Sequence, residues 1–184
     1  MSLTSKVGSA RSVLNLGSGL KQVAGAVNLD VAASTRPDVV HNLNVVPWPF
    51  GPNTFDEVHA NDVIEHLDDT LVTMEEIHRI SRPGAVVHIT VPHFSSANAF
   101  TDPTHQHYFG YFSFHYFTGE SAFPFYSGAK FRRRSSQLVF HPTLLNKLVW
   151  RLAARWPAGY ERGWAWIVPA WFISLELEVV KDAQ

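Results

Sequence analysis

The feature that most constrains this chain is an interval that is too short. In "VLNLGSGLKQVAGAVNLDV", residues 13–31, an apolar strand at 12–16 runs into a glycine turn, and a second apolar strand at 26–29 is followed by an acid, Asp30. Only nine residues, 17–25, separate the two strands. A strand of five or six residues is about 17–20 Å long, whereas six residues of helix after the glycines cover only about 9 Å. A parallel crossover ordinarily takes a dozen or more residues. The return path is therefore expected to be largely extended.

Further along, residues 38–41, 55–60 and 85–91 ("AVVHITV") read as strands. Between the last two, "DDTLVTMEEIHRI" spaces Leu71, Met74, Ile77 and Ile80 three apart, with Asp68 or Asp69 as N-cap and "RPG" at 82–84 as a stop, which predicts a helix of about three turns. Continuous apolar strands alternating with helical connections predict an α/β fold: a doubly wound, mostly parallel, seven-stranded sheet with helices on both faces. Residues 144–156 read as a helix through Leu145, Leu148, Val149 and Leu152, residues 157–170 as a Pro- and Gly-marked loop, and "FISLELEVV" at 172–180 as a last, antiparallel edge strand. With 184 residues and no linker or repeat, residues 1–184 are expected to form a single domain.

Composition narrows the partners. A formal charge of -1 and a pI near 6.8 give no electrostatic footprint for nucleic acid. The absence of cysteine removes thiolate metal sites and thiol nucleophiles. The N-terminus lacks the continuous apolar core of a signal peptide, and no stretch reads as a membrane span, so a soluble cytoplasmic protein is the expectation.

The missing helix selects a ligand. Dinucleotide folds seat the pyrophosphate on the N-terminus of the helix that follows the glycines, and "GSGLKQ" carries Gln22 where a third glycine would stand. An adenosine ligand without phosphates loses far less. It needs close backbone approach, which Gly17 and Gly19 allow, and a carboxylate for the ribose hydroxyls, which Asp30 supplies. S-adenosylmethionine meets that description.

The segments "VLNLGSG", "VNLDV", "NLNVVPWPFGPNTFDEVHANDVIEHL" and "EIHRISRPGAVVHITVP" extend the match over roughly residues 13–92. Over that length the chain resembles class I S-adenosylmethionine-dependent methyltransferases, and among them small proteins that shorten or omit the helix after the glycine motif. The resemblance implies that Gly17, Ser18 and Gly19 line the methionine end of the cofactor, that Asp30 holds the ribose, that Asn42 and Leu43 border the adenine, and that Asn61 lies near the methionine or the transferring methyl. Asn15 stands where an acid is usual in the first motif, and Asn42 where an aspartate often meets the adenine amino group. Glu65 and His66 fall in the family's "EHL" signature, where a local cap or core contact competes with a chemical role.

Candidate acid–base groups crowd behind the fifth strand. "HFSSANAFTDPTHQHYFGYFSFHYF", residues 93–117, carries His93, Asp102, His105 and His107 among many aromatic rings, at the sheet end where ligands bind. Asp102 could fix the tautomer of His105 across "DPTH". Residues 93–130 are accordingly expected to form an aromatic, His-rich lid on the acceptor side, with core packing beneath a long loop as the alternative. A metal site from His93, His105 and His107 is possible by ligand type, though no metal is expected. Five of six tryptophans lie between Trp150 and Trp171; packing against the sheet is the expectation, with Lys147, Arg151 and Arg155 offering peripheral membrane contact through 144–171 as the alternative. The leading expectation is a methyltransferase acting on a small or medium-sized acceptor. Its rivals are a catalytically silent cofactor-binding partner protein and a His-based metal-dependent hydrolase.

Overall fold

The structure, a computed structural model, describes residues 11–120 and 127–181, with only the backbone of 144–148. Seven strands form one sheet: β1 (Val13–Leu16), β2 (Val27–Asp30), β3 (Val39–Val40), β4 (Phe55–Asn61), β5 (Ser81–Pro92), β6 (Lys130–Val139) and β7 (Phe172–Val180). Their spatial order is β3-β2-β1-β4-β5-β7-β6. The first five pair in parallel, and β7 inserts antiparallel between β5 and β6. The fold class and the antiparallel sense of the last strand are those that the sequence predicts, but β7 is not the expected edge strand: it pairs on both sides, and β6 forms that margin of the sheet.

The first connections are bare of α-helix. Residues 17–26 return from β1 to β2 through turns and extended chain, and β2 reaches β3 through a single 3₁₀ turn (Ala33–Thr35). Extended chain exposes backbone groups that a helix would satisfy internally, and buried ones need partners. Asn15 and Asn28, paired across β1 and β2, supply them. Asn15 Nδ2 donates to Lys21 O (3.0 Å) and to Asn28 Oδ1 (3.0 Å), Asn28 Oδ1 accepts from Val23 N (2.8 Å), and Asn28 Nδ2 donates to Val23 O (3.2 Å).

Strand parity then separates two unlike faces. Leu14, Leu16, Leu29, Val58, Ala60, Val87, Ile89, Val91, Leu175 and Leu177 share one fully buried face. The other face carries Asn15, Asn28, Glu57, His59, His88, Thr90 and Glu176, polar and in large part half-buried. Hydrophobic stabilisation, about 25 cal/mol per Å² of apolar area, is therefore concentrated on one side.

On the apolar side lies α1 (Thr70–Ile80). Asp69 caps it, its carboxylate accepting from Leu71 N (2.7 Å) and Val72 N (3.1 Å), and Met74, Ile77 and Ile80 are fully buried. His78 packs edge-on against Phe131 of β6. Phe109, Phe114 and Phe117, from the segment expected to be a lid, also enter this core, with Phe109 stacked on Phe114 at 5.2 Å. Aromatic packing thus takes part of that segment, while Phe100 and Tyr108 stack on each other at 4.8 Å and stay exposed. Residues 121–126 lie outside the described part.

Three features depart from the sequence reading. β6 lies in a stretch with no strand predicted. Pro157 does not continue a loop but opens a helix, α4 (Pro157–Gly163), where its fixed φ and missing N–H suit the first turn; this follows α2 (Asn98–Thr101) and α3 (Leu144–Arg155) in chain order. Finally, the tryptophans do not pack as expected: Trp150, Trp156 (72% exposed), Trp164 and Trp166 are exposed, Trp166 meeting Phe94 edge-on, and the half-buried Trp171 stacks on the exposed His141 ring. Leu145, Lys147 and Leu148 fall among the side chains outside the description.

Candidate functional site

At the C-terminal ends of β1, β2 and β4 the glycine turn meets Asp30. Gly17 has φ +58°, and a Cβ there would sit 2.4 Å from Val63 Cγ2, so only glycine fits. The Asp30 carboxylate reaches back to the turn. Its Oδ2 accepts from Gly19 N (2.7 Å) and its Oδ1 from Ala32 N (2.8 Å), which fixes its orientation and leaves further lone pairs on both oxygens. Ser18 is buried under the turn, with its N–H on Leu29 O (3.0 Å).

A cleft of about 380 Å³ opens over this turn, lined by Gly17, Asp30, Val31, His41, Asn42, Leu43, Asn44, Asp62, Val63, His66 and Leu67. Of the expected cofactor residues, Gly17, Asp30, Asn42 and Leu43 therefore line one cavity, and Gly19 acts on it through Asp30. Three others do not line it. Asn15 turns to the polar face and ties down the return chain, Ser18 is buried under the turn, and Asn61 accepts from Thr90 Oγ1 (3.2 Å), a hydroxyl that also lies 3.3 Å from Asp62 Oδ1. The next residue, Asp62, at φ +54°, lines the cavity instead and pairs with Lys21 at 3.2 Å. The Leu43 wall of the cleft rests on a buried support: Trp48 Nε1 donates to Leu43 O (2.9 Å), and Trp48 N donates to Glu76 Oε2 (2.8 Å). Arg79 binds both Glu76 oxygens at 2.7 Å and holds the Trp48 and Phe50 carbonyls.

Beside the cleft, the 3₁₀ turn Ile64–His66 brings Glu65 and His66 against residues 99–107. Glu65 is 1% exposed, and neither carboxylate oxygen has a hydrogen-bond partner. Burial raises its pKa to about 7, with the charges of Asp62 and Asp102 adding to the rise and its own backbone N–H opposing it. The main-chain carbonyl of Glu65 accepts from Gln106 N (2.8 Å) and His107 N (3.2 Å), which docks the loop.

The expected Asp102–His105 pair does not form. Asp102 Oδ1 accepts from Thr104 Oγ1 (2.7 Å), and Thr104 Oγ1 lies 2.9 Å from His66 Nδ1. With its one proton given to Asp102, the Thr104 hydroxyl can only accept from His66, so His66 carries its proton on Nδ1. His105 Nδ1 lies 3.0 Å from Ala99 O, an acceptor only, and its ring meets His66 edge-on at 4.6 Å. Burial, then the neighbouring His105, lowers the His66 pKa.

The other expected histidines are placed elsewhere. His93 is fully buried, with Nδ1 on Ser95 Oγ (2.7 Å) and Nε2 on Glu161 (3.1 Å); Glu161 also accepts from Tyr111 N. It ties three segments together and does not face the cleft. His107 packs near Phe109 with its Nε2 unpartnered. The triad His93, His105 and His107 is thus not assembled. The groupings that the fold does assemble among the described residues are Glu65 with His66 and His105, and Glu57 with His59 and His88. Sequence signals existed for the first in "EHL" and "DPTH", but 38 residues separate His66 from Thr104.

Comparison with known proteins identifies the domain and its fold. A family model described as a methyltransferase domain matches residues 11–134. Solved structures similar to this chain include an S-adenosylmethionine-dependent methyltransferase from Archaeoglobus fulgidus (TM-score 0.64, 14% identity, covering 92% of this chain and 86% of that one). A second, from Mesorhizobium loti, bears the same description (TM-score 0.55, 12% identity, 91% and 90%). The [4+2]-cyclase SpnF shares the fold as well (TM-score 0.60, 15% identity, 94% and 75%). Among curated proteins no sequence match is found.

Proposed function

The chain belongs to the methyltransferase-domain family, and from that premise we propose that it binds S-adenosylmethionine in the cleft over Gly17 and Asp30 and transfers the methyl group to a small or medium-sized acceptor. The observation that carries the reading is the Asp30 carboxylate, clamped by two backbone N–H groups at the edge of a cleft whose glycine turn no α-helix follows. Such a site suits a ribose diol and offers no seat for a pyrophosphate. Val31 and Leu43 give the adenine apolar walls, with Asn42 beside them, and Asp62 and Lys21 offer opposite charges to the amino-acid end of the cofactor.

Methyl transfer is an in-line displacement: the acceptor's lone pair forms the new bond to carbon as the carbon–sulfur bond breaks and the neutral thioether leaves. Alignment and exclusion of water are its main demands. The acceptor would approach from the side of Glu65, His66 and His105, with the exposed Phe100–Tyr108 pair as an apolar wall. Of the histidines first considered, His105 keeps a place there, and Asp102 acts through Thr104 on His66.

Calorimetric titration with S-adenosylmethionine and S-adenosylhomocysteine tests the reading. The wild type is expected to bind both, and Asp30→Ala to bind at least about tenfold more weakly, the scale of losing hydrogen bonds to a charged group. Asp30→Asn, which keeps the volume, guards against a folding defect. A folded wild type that ignores both ligands would sink the proposal.

The exposed tryptophans support a separate element, peripheral contact with an anionic lipid surface. Trp150, Trp156, Trp164 and Trp166 are solvent-facing on elements that also expose Arg151, Arg155 and Arg162, and indole rings with cations suit the headgroup region. No helix among the described residues is long and apolar enough to cross a membrane. Flotation with phosphatidylglycerol-containing vesicles is expected to carry the protein, and Trp156→Ala with Trp166→Ala to release it; no flotation of the wild type refutes this element.

A further inference from the structure

We propose that Glu65, His66 and His105 bind one divalent transition-metal cation of the zinc class at the wall of the cleft. Three observations converge on it. A potential ligand atom from each residue lies within 4.8 Å of the other two. Glu65 is held out of water with both oxygens unpartnered, an arrangement that costs free energy unless a cation or donor compensates it. Both histidines already spend Nδ1 on oxygen acceptors, His66 on Thr104 and through it Asp102, His105 on Ala99 O. That leaves Nε2 of each with its lone pair.

This is the way histidine ligands are held in metal sites, the remote N–H fixed by a carboxylate or carbonyl so that tautomer and ring direction are set before the ion arrives. Two imidazoles and one carboxylate form a donor set that zinc accepts with a position left open. His66 also lines the cleft, so a cation held here would lie beside it. The second grouping is a poorer host. Glu57 Oε1 already lies 2.8 Å from His59 Nε2 and 3.3 Å from His88 Nε2, and its Oε2 meets Arg11 at 3.0 Å. Its carboxylate is satisfied without an ion.

Cation binding stands by itself; its role rests on the methyltransferase reading. A cation in this position would hold an acceptor by an oxygen and acidify a bound hydroxyl, which makes the acceptor class one that offers an ionisable hydroxyl.

The test uses the full chain stripped with a chelator, titrated with Zn²⁺ by calorimetry and with Co²⁺ by visible absorption. The wild type is expected to take up one equivalent. Glu65→Gln and the half-buried His105→Ala are each expected to weaken uptake at least tenfold, and Thr104→Val, which touches only the support of His66, by about tenfold. Circular dichroism verifies folding, and S-adenosylmethionine titration of the same variants, expected to be unchanged, separates failure of this site from failure of the cofactor cleft. No uptake by the wild type overturns the proposal. So does uptake that survives either ligand substitution, or that is lost instead in His88→Ala.

Discussion

Glu76, on the buried side of α1, accepts from Trp48 N and from both arms of the Arg79 fork. Glu65, in the turn after β4, is more deeply buried and accepts from nothing. Burial pulls the Glu76 pKa upward, but the Arg79 hydrogen bonds, the Trp48 N–H and the Arg79 charge outweigh it, and the net shift is downward; at Glu65 burial goes unopposed by any cation and the pKa rises to about 7. The first carboxylate fastens the loop 42–50 that walls the cleft. The second does no fastening with its side chain, and in the proposed reading a cation completes it. The fold thus contains two kinds of buried acid, one whose hydrogen bonds the chain completes and one whose oxygens it leaves unpartnered.

The largest effect that would sharpen this contrast is expected from Glu76→Ala, which strands the Trp48 N–H and the Arg79 guanidinium: a loss of about 3 kcal/mol in urea unfolding at pH 7. The folded pKa of Glu76 is depressed, so its contribution is fully present above its ordinary 4.5 and is lost as pH falls below that value. The gap between variant and wild type should therefore narrow in acid. A gap that persists unchanged there would break the account.

Glu65→Gln should do the reverse. Because the folded pKa, about 7, stands above the ordinary 4.5, ionising Glu65 destabilises the metal-free protein above pH 7 and the penalty vanishes below 4.5. In chelator, the variant is expected to exceed the wild type by on the order of 2–3 kcal/mol at pH 8 and to match it near pH 4. Equal stabilities at pH 8 would remove the distinction between the two glutamates.

The smallest effect probes the completed side again. Both partners of the Asn15 amide nitrogen are acceptors, Lys21 O and Asn28 Oδ1. Asn15→Asp, which restores the commoner acid of the glycine motif, sets a carboxylate against two oxygens and should cost about 2 kcal/mol at pH 7. If it is neutral, the return chain is not held by this pair.

That substitution also shows how far the sequence could be read. The short interval after Gly19 revealed the helix-free crossover and pointed Asp30 at the turn, because chain length is a local property. It did not reveal why residue 15 is an amide, since the reason lies in the carbonyl of Lys21 folding over it. Asn61 and Asp62 were exchanged for a similar cause: strand parity puts the first on the polar face, and a positive φ swings the second into the cleft. β6 hid behind "KFRRRSSQLV", whose alternation is broken by an irregularity between Arg133 and Ser135. Glu65, His66 and His105 meet only through the topology, which no spacing rule supplies.

The two ends of the sheet also bear on how copies of the chain treat one another. β3 pairs over just two residues, too short to template a neighbour. β6, ten residues long at the opposite end, carries Lys130, Arg132, Arg133 and Arg134 in its first half. Short or cationic margins resist the addition of a further strand from another molecule. The short β3 edge and the cationic half of β6 should accordingly resist cross-strand aggregation in crowded solutions, which leaves the uncharged half of β6, residues 135–139, as the stretch of sheet margin most open to a neighbour.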